Sequence, residues 1–246
     1  MAAGTISLVA VLRDARILRQ AQERAPQDKA DEWREQTPIC PVWYLVDMNE
    51  LFSPAQQRPT TQTADGLPRW RWTVAEIERL TAAGYFHEDD RFELLGGEIV
   101  PMSPKGRRHE IIRLKLGYRF TRLASEDVFV AAEPQFNLGP DTYLVPDLLV
   151  HPNAIATPDA RGSDALLVVE VAETSLAYDL KTKATLYAAH GVPEYWVINA
   201  STLVTTVHTQ PSGNAYASAP EIAPDKLLVP TMVPGLAISL DTLGLH

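Results

Sequence analysis

A chain of 246 residues, 46% apolar and 22% charged, can bury a large core and has the composition of an ordinary globular protein. Its formal net charge of −9 argues against indiscriminate attraction to nucleic-acid phosphates, and its single cysteine, Cys40, excludes an intramolecular disulfide framework. Apolar runs such as Ala165–Val169 are strand-sized, and the N-terminus lacks the basic-then-apolar order of a signal peptide, so a cytoplasmic location with no membrane partner is expected.

Residues 1–68 read as an extension, partly helical or disordered. "LVAVLRDARILRQAQERA" can form a helix, but "APQDKADEWREQTP" and "SPAQQRPTTQTADGLP" are polar, proline-bearing and without sustained periodicity. Residues 1–47 are expected to be a loosely attached appendage or an over-extended start, with translation beginning at Met48. The compact domain is expected over residues 69–246. It opens with "TVAEIERLTAAG", where Thr73 and Glu76 form a capping box for an amphipathic helix stopped by Gly84. "RFELLGGEIVPMS" predicts a hairpin turning at Gly96-Gly97. A helix follows from about Arg108 to Leu123, with Ile111, Ile112, Leu114, Leu116 and Phe120 as its apolar positions. "VFVAAEPQFNLG" and "YLVPDLLVH" read as strands about the turn "GPDT", and "ALLVVEVA" as a strand buried on both faces. A helix from about Leu176 to His190 ends at Gly191, and "EYWVINA", "LVTTVHTQ" and shorter segments supply the last strands. The pattern predicts a mixed α/β sheet flanked by helices, without the strict alternation of a doubly wound fold.

Two carboxylates interrupt apolar strands: Asp147 in "YLVPDLLV" and Glu170 in "LLVVEVA". A charge inside a sheet costs several kcal/mol unless compensated, so Glu170 needs a partner or a job. Each acid alone can simply face solvent. If the two strands are neighbours, both can converge on one hard cation, a natural arrangement for phosphodiester cleavage. That chemistry also wants a fixed positive charge. Lys181 and Lys183 follow on the next helix, whose apolar stripe of Leu176, Ala177, Leu180, Ala184 and Tyr187 centres near Leu180. Lys183 then lies roughly 60° from the stripe centre and Lys181 roughly 100° away on the other side, so Lys183 reaches the sheet better, unless it only pairs with Asp179 at i,i+4. The segment "KGRRHEIIRLKLGYRFTR" sets Lys105, Arg107, Arg108, Arg113, Lys115, Arg119 and Arg122 against Glu110 alone, which suits either phosphate contact or a solvated face. Tyr187, Tyr195 and Trp196 read as core residues. Ser163, Ser175 and Cys40 have no visible base partner, so nucleophilic catalysis is unsupported.

The order "VPD", then "VVEV", then "SLAYDLKTKATLYAAHGVPEYWVIN" resembles the Uma-type restriction endonuclease family of the PD-(D/E)XK nuclease superfamily, a bacterial family. "TVAEIERL", "RFELLGGEIVPMSP" and His109 at a helix start match its front half, so the resemblance covers roughly Trp72 to Asn199. It implies a restriction-endonuclease-like fold and a metal-dependent DNA endonuclease using Mg²⁺ or Mn²⁺, with homodimers common. By family pattern Asp147 and Glu170 would be the metal ligands, aided by the Val171 carbonyl; Glu93 matches a recurrent family acid and would be either a third ligand or a hairpin-capping or solvent-facing residue. The superfamily's usual lysine position, two residues after the second acid, is Ala172 here, and Lys183 matches the helix lysine that replaces it. His109 would contact phosphate or orient a neighbour, or simply stand in the helix's first turn, and the basic helix with Arg107, Arg108 and Arg113 would contact DNA unless it is a solvated face. A catalytically silent DNA-binding or protein-interaction module on the same fold is the alternative that Ala172 and the net charge favour. A sugar-phosphate or nucleotide phosphohydrolase shares the metal logic, but no glycine-rich phosphate loop supports it.

Overall fold

The computed structural model describes residues 69–87 and 89–245, and the expectations for residues 1–68 lie outside them. The described residues form two units, residues 76–90 and residues 69–75 with 91–245. None of the described helices is long and apolar enough to cross a membrane.

Helix α1 (Val74–Ala82) starts directly after Thr73 and carries Glu76 in its first turn, as the capping pattern predicts. Its end is a Schellman motif: Tyr85 N–H donates to Leu80 O at 3.0 Å and Gly84 N–H to Thr81 O at 2.9 Å, with Gly84 at φ +80°. Glycine there lets the chain leave the helix in the left-handed region without a Cβ clash.

Strands β1 (Phe92–Leu95) and β2 (Glu98–Pro101) pair antiparallel across Gly96-Gly97, at φ +55° and +84°. A two-residue hairpin loop asks for positive φ at both positions, which this dipeptide supplies. A Cβ on Gly97 would also fall 2.7 Å from Arg71 Cβ. Gly97→Ala should therefore lower stability by about 1–3 kcal/mol, read as a drop in melting temperature. A variant melting with the wild type would show that the turn relaxes freely.

Helix α2 (Arg107–Leu123) buries Ile112, Leu116 and Phe120, four residues apart, together with His109. Ile111 is half-buried and Leu114 is exposed, so the apolar face is narrower than the composition suggests. β3 (Val128–Ala132), β4 (Phe136–Gly139), β5 (Thr142–Leu144) and β6 (Leu148–Pro152) follow. The two strands predicted in this region are thus four. Pro134 and Pro146 cannot donate to a ladder, and each marks the place where the chain changes sheet. β4 and β5 join the hairpin in a small sheet ordered β2-β1-β5-β4, whereas β3 and β6 belong to the large one. The expected single sheet is therefore two.

The large sheet runs β10-β9-β8-β7-β6-β3, with β11 beside β9. Its members are completed by β7 (Leu167–Ala172), β8 (Glu194–Asn199), β9 (Thr205–Ser212), β10 (Ala215–Ser218) and β11 (Glu221–Ile222). Only β7 and β8 are parallel in the described sheet, joined by the helical segment from Leu176 to Ala189. β7 is buried along its whole length, which explains its near-continuous apolar run. Leu167, Val169 and Val171 face Ile112, Phe120 and Trp196, while Val168 and Ala172 face Tyr187 and Tyr195. Each large side chain so buried contributes roughly 1.5–3 kcal/mol. Glu170 shares the second of these faces by strand alternation.

Candidate active site

The pocket is built where the two sheets meet. β6 and β7 pair with Leu148 opposite Val169, and continuing that register by one residue sets Asp147 opposite Glu170 on the same face. Asp147 itself lies just before β6, in the break made by Pro146, and not within a strand. β1 of the small sheet brings Glu93, and a cavity of about 310 Å³ takes in Glu93, Asp147, Glu170 and Lys183.

The helical segment after β7 decides how the lysine arrives. It is α-helical over α3 (Leu176–Tyr178) and α4 (Ala184–Ala189), but Asp179–Lys183 forms a π-helical turn in which Ala184 N–H bonds to Asp179 O. The wider turn puts Asp179, Lys183 and Tyr187 in one buried line, while Ala177 is exposed and Leu180 only half-buried. The stripe centred on Leu180 is thus corrected. Uniform 100° steps misplace it because the extra residue per turn rotates the face, and polar groups hold the line. Lys181 is exposed, as that reading expects.

Lys183 Nζ lies 2.8 Å from Glu170 Oε1, 2.9 Å from Glu93 Oε1 and 3.8 Å from Asp179 Oδ1. This is the partner that Glu170 requires inside the sheet. Tyr187 O–H also lies 3.3 Å from Glu170 Oε1, so that core tyrosine reaches one of the pocket's acids. Tyr178 O–H lies 3.3 Å from Glu93 Oε2, and Val145 N–H donates to Glu93 Oε1 at 3.0 Å. Ser175 donates to Asp179 Oδ2 at 2.5 Å, and Tyr195 O–H donates to Asp179 O at 3.2 Å.

Asp147 is equally enclosed. Its Oδ2 accepts from His109 Nε2 at 2.9 Å and Val171 N–H at 2.7 Å, and its Oδ1 from Lys105 Nζ at 2.6 Å. A carboxylate can only accept, so His109 carries its proton on Nε2. His109 Nδ1 is buried 3.3 Å from Glu110 Oε1, without a hydrogen bond. His109 is thus tied directly to Asp147.

These contacts separate the two central acids. Burial would raise the Asp147 carboxyl, but the bonds and charges of His109 and Lys105 outweigh it and hold it below the usual range. Burial pushes Glu170 well above the usual range, opposed by Lys183 and reinforced by Asp147, Asp179 and Glu93. Burial disfavours charge on Lys183 too, yet Glu170, Glu93 and Asp179 together raise its ammonium above its ordinary value. Lys183 is held protonated.

The basic helix is largely committed inside the protein. Arg113 pairs with Glu110 at 2.7 Å and Glu133 at 3.3 Å, and Arg108 donates to the Ala200 and Ser201 carbonyls. Lys115 reaches the Leu243 and Gly244 carbonyls. Arg107 and Arg119 are exposed and have no ion-pair partner among the described residues. Lys105, on the pocket wall, and Glu133 behind it carried no sequence signal beyond charge, and Tyr178 none at all.

The donor set suits a hard cation: Glu93, Asp147 and Glu170 carboxylates and, where β7 passes Asp147, the Val171 carbonyl, all oxygen. Among the described residues no three His, Cys, Asp or Glu side chains already ring one point as a metal shell does. Lys183 instead bridges Glu93 and Glu170, and Lys105 bridges Asp147 and Glu133. Five carboxyl groups, Glu93, Glu170 and Asp179 about Lys183 and Asp147 and Glu133 about Lys105, face these two ammoniums.

A sequence profile described as "Uma2: Putative restriction endonuclease" matches residues 74–241. A crystal structure from Anabaena variabilis, described as "a putative nuclease belonging to DUF820", is similar at a TM-score of 0.56 and 18% identity, over 70% of this chain and 97% of that one. No curated protein matches the chain. The expected fold class, a restriction-endonuclease-like mixed sheet flanked by helices, is borne out by this likeness and by the strand order.

Proposed function

The chain belongs to the Uma2 family, "Putative restriction endonuclease", and from that premise we propose that it is a divalent-metal-dependent DNA endonuclease that hydrolyses phosphodiester bonds. The observation that carries this reading is the meeting of Asp147, Glu170, Glu93 and a charged Lys183 in one pocket.

Asp147 and Glu170 would hold Mg²⁺ or Mn²⁺, with Glu93 and the Val171 carbonyl completing the protein's share of the shell. The ion supplies a Lewis acid for a phosphoryl oxygen and makes a bound water more acidic. His109 and Val171 N–H fix the Asp147 carboxylate, which holds its orientation before any ligand arrives. Lys183, kept protonated by its carboxylates, suits the stabilisation of charge developing on the phosphoryl group better than proton abstraction. Tyr187 and Tyr178 brace Glu170 and Glu93 from the protein side. Paired active sites would suit cutting both strands, so a homodimer belongs to this proposal.

The test is cleavage of supercoiled plasmid with Mg²⁺ or Mn²⁺, alongside calorimetric metal titration. Wild type should cut and bind metal, and Asp147→Ala should do neither while melting cooperatively. Metal binding without cutting would favour a silent DNA-binding or interaction module, which Ala172 and the lysine-capped acids also suit. DNA contact is assigned to exposed Arg107 and Arg119 ahead of the internally paired Arg108 and Arg113. Replacing Arg107 and Arg119 with alanine should weaken DNA binding for all sequences and reduce the salt slope by about 2. An unchanged slope would make them a solvated face.

A further inference from the structure

Asp147 has two oxygens, and they are held differently. Oδ2 is fixed by a backbone N–H of the central strand β7 and by His109 on α2, neither of which can move without disturbing the sheet or the helix. Oδ1 is held by Lys105, which sits in the irregular segment 102–106 between β2 and α2. Lys105 Nζ also contacts Glu133 Oε1 at 2.5 Å, so one ammonium bridges two carboxylates. Its side chain is 11% exposed, and that of Asp147 is 2% exposed. A ligand reaching Oδ1 therefore meets Lys105 first.

Glu133 is built for its place. It is a non-glycine residue at φ +50°, in the left-handed region that side chains rarely adopt, and its N–H bonds to Asp147 O at 3.1 Å. Its carboxylate also binds Arg91 at 2.6 Å and Arg113 at 3.3 Å. These partners hold Glu133 beside Lys105 whatever Lys105 does.

We propose that Lys105 is the resident counter-cation of Asp147: a divalent ion must displace its ammonium from Oδ1, and Glu133 retains the ammonium once displaced. This rests on the metal-dependent reading above and adds to it a positioning residue that sets how readily the site loads. The two neighbours then act in opposite directions. Removing the ammonium frees Oδ1, whereas removing the Glu133 carboxylate leaves Lys105 with Asp147 alone and tightens its hold.

The experiment is calorimetric titration of MnCl₂ into the metal-free full chain, with melting curves for each variant. Lys105→Met should bind Mn²⁺ on the order of tenfold more tightly than wild type, the scale of one charge-assisted contact. Lys105→Arg should restore wild-type affinity, and Glu133→Gln should bind several-fold more weakly. A general loss of structure would weaken binding in every variant, so a tightening is not a stability effect. If Lys105→Met does not fold, Glu133→Gln decides: weaker binding supports the proposal, and unchanged or tighter binding overturns it. Wild-type binding that is lost in Asp147→Ala but unaltered or weaker in Lys105→Met overturns this proposal and leaves the metal site standing. Absence of binding in every variant overturns both.

Discussion

Lys183→Met should destabilise the metal-free protein by about 3–5 kcal/mol, the scale seen when one partner of a buried ion pair is removed. The lysine stands between Glu170, Glu93 and Asp179, all buried, and methionine fills much of its volume without its charge. Acid should recover part of the loss. Burial, with Asp147, Asp179 and Glu93, holds the Glu170 carboxyl above its ordinary range even with Lys183 pulling it down. Without Lys183 it rises further, so the native state keeps a proton that the unfolded chain releases above about pH 4.3. That contribution is complete below the unfolded value and is lost as pH rises through the native one. The deficit against wild type should therefore be smaller near about pH 5 than near about pH 8, as measured by urea unfolding. A deficit independent of pH would mean that packing, and not uncompensated carboxylate charge, is what Lys183 supplies.

Glu170→Gln is expected to do the reverse: keep the fold and lose cleavage. Lys183 retains Glu93 at 2.9 Å and Asp179 at 3.8 Å, and a glutamine oxygen can still accept from Lys183 and Tyr187. Burial already favours the uncharged carboxyl, and Gln is close to it in shape and charge, so stability should change by less than about 1 kcal/mol. Cleavage should fall by about 10³-fold or more, since losing an anionic ligand removes several kcal/mol of metal-assisted stabilisation, and each 1.4 kcal/mol is tenfold. Near-wild-type cleavage by a folded Glu170→Gln protein would remove Glu170 from the reaction and leave it as Lys183's structural partner.

Much of the fold was legible because its signals are local. Gly84 stops α1 and Gly96-Gly97 turns the hairpin for backbone reasons contained in a few residues. The apolar run of β7 states its own burial. Asp147 and Glu170 stood out because a carboxylate amid apolar residues demands compensation once its segment is buried. What was not legible depends on partners distant in sequence. Lys105 and Glu133 are ordinary surface residue types, and only the pairing of β3 with β6 carries Glu133 to Asp147. The prolines at 134 and 146 were visible, but that they divide four strands between two sheets emerges only from the pairing.

Local sequence signals were enough to place most of the elements in order, to single out the acids and lysine that needed an account, and to carry the family resemblance. The tertiary structure decided which oxygen of Asp147 is fixed and which is exchangeable, because that depends on Val171 N–H, His109 and Lys105 arriving from three separate elements. It also decided the face of the lysine helix. A π-turn at Asp179–Lys183 turns that helix by a residue, and no uniform periodicity foretells it, since its stabilising contacts are carboxylates and tyrosines contributed across the sheet.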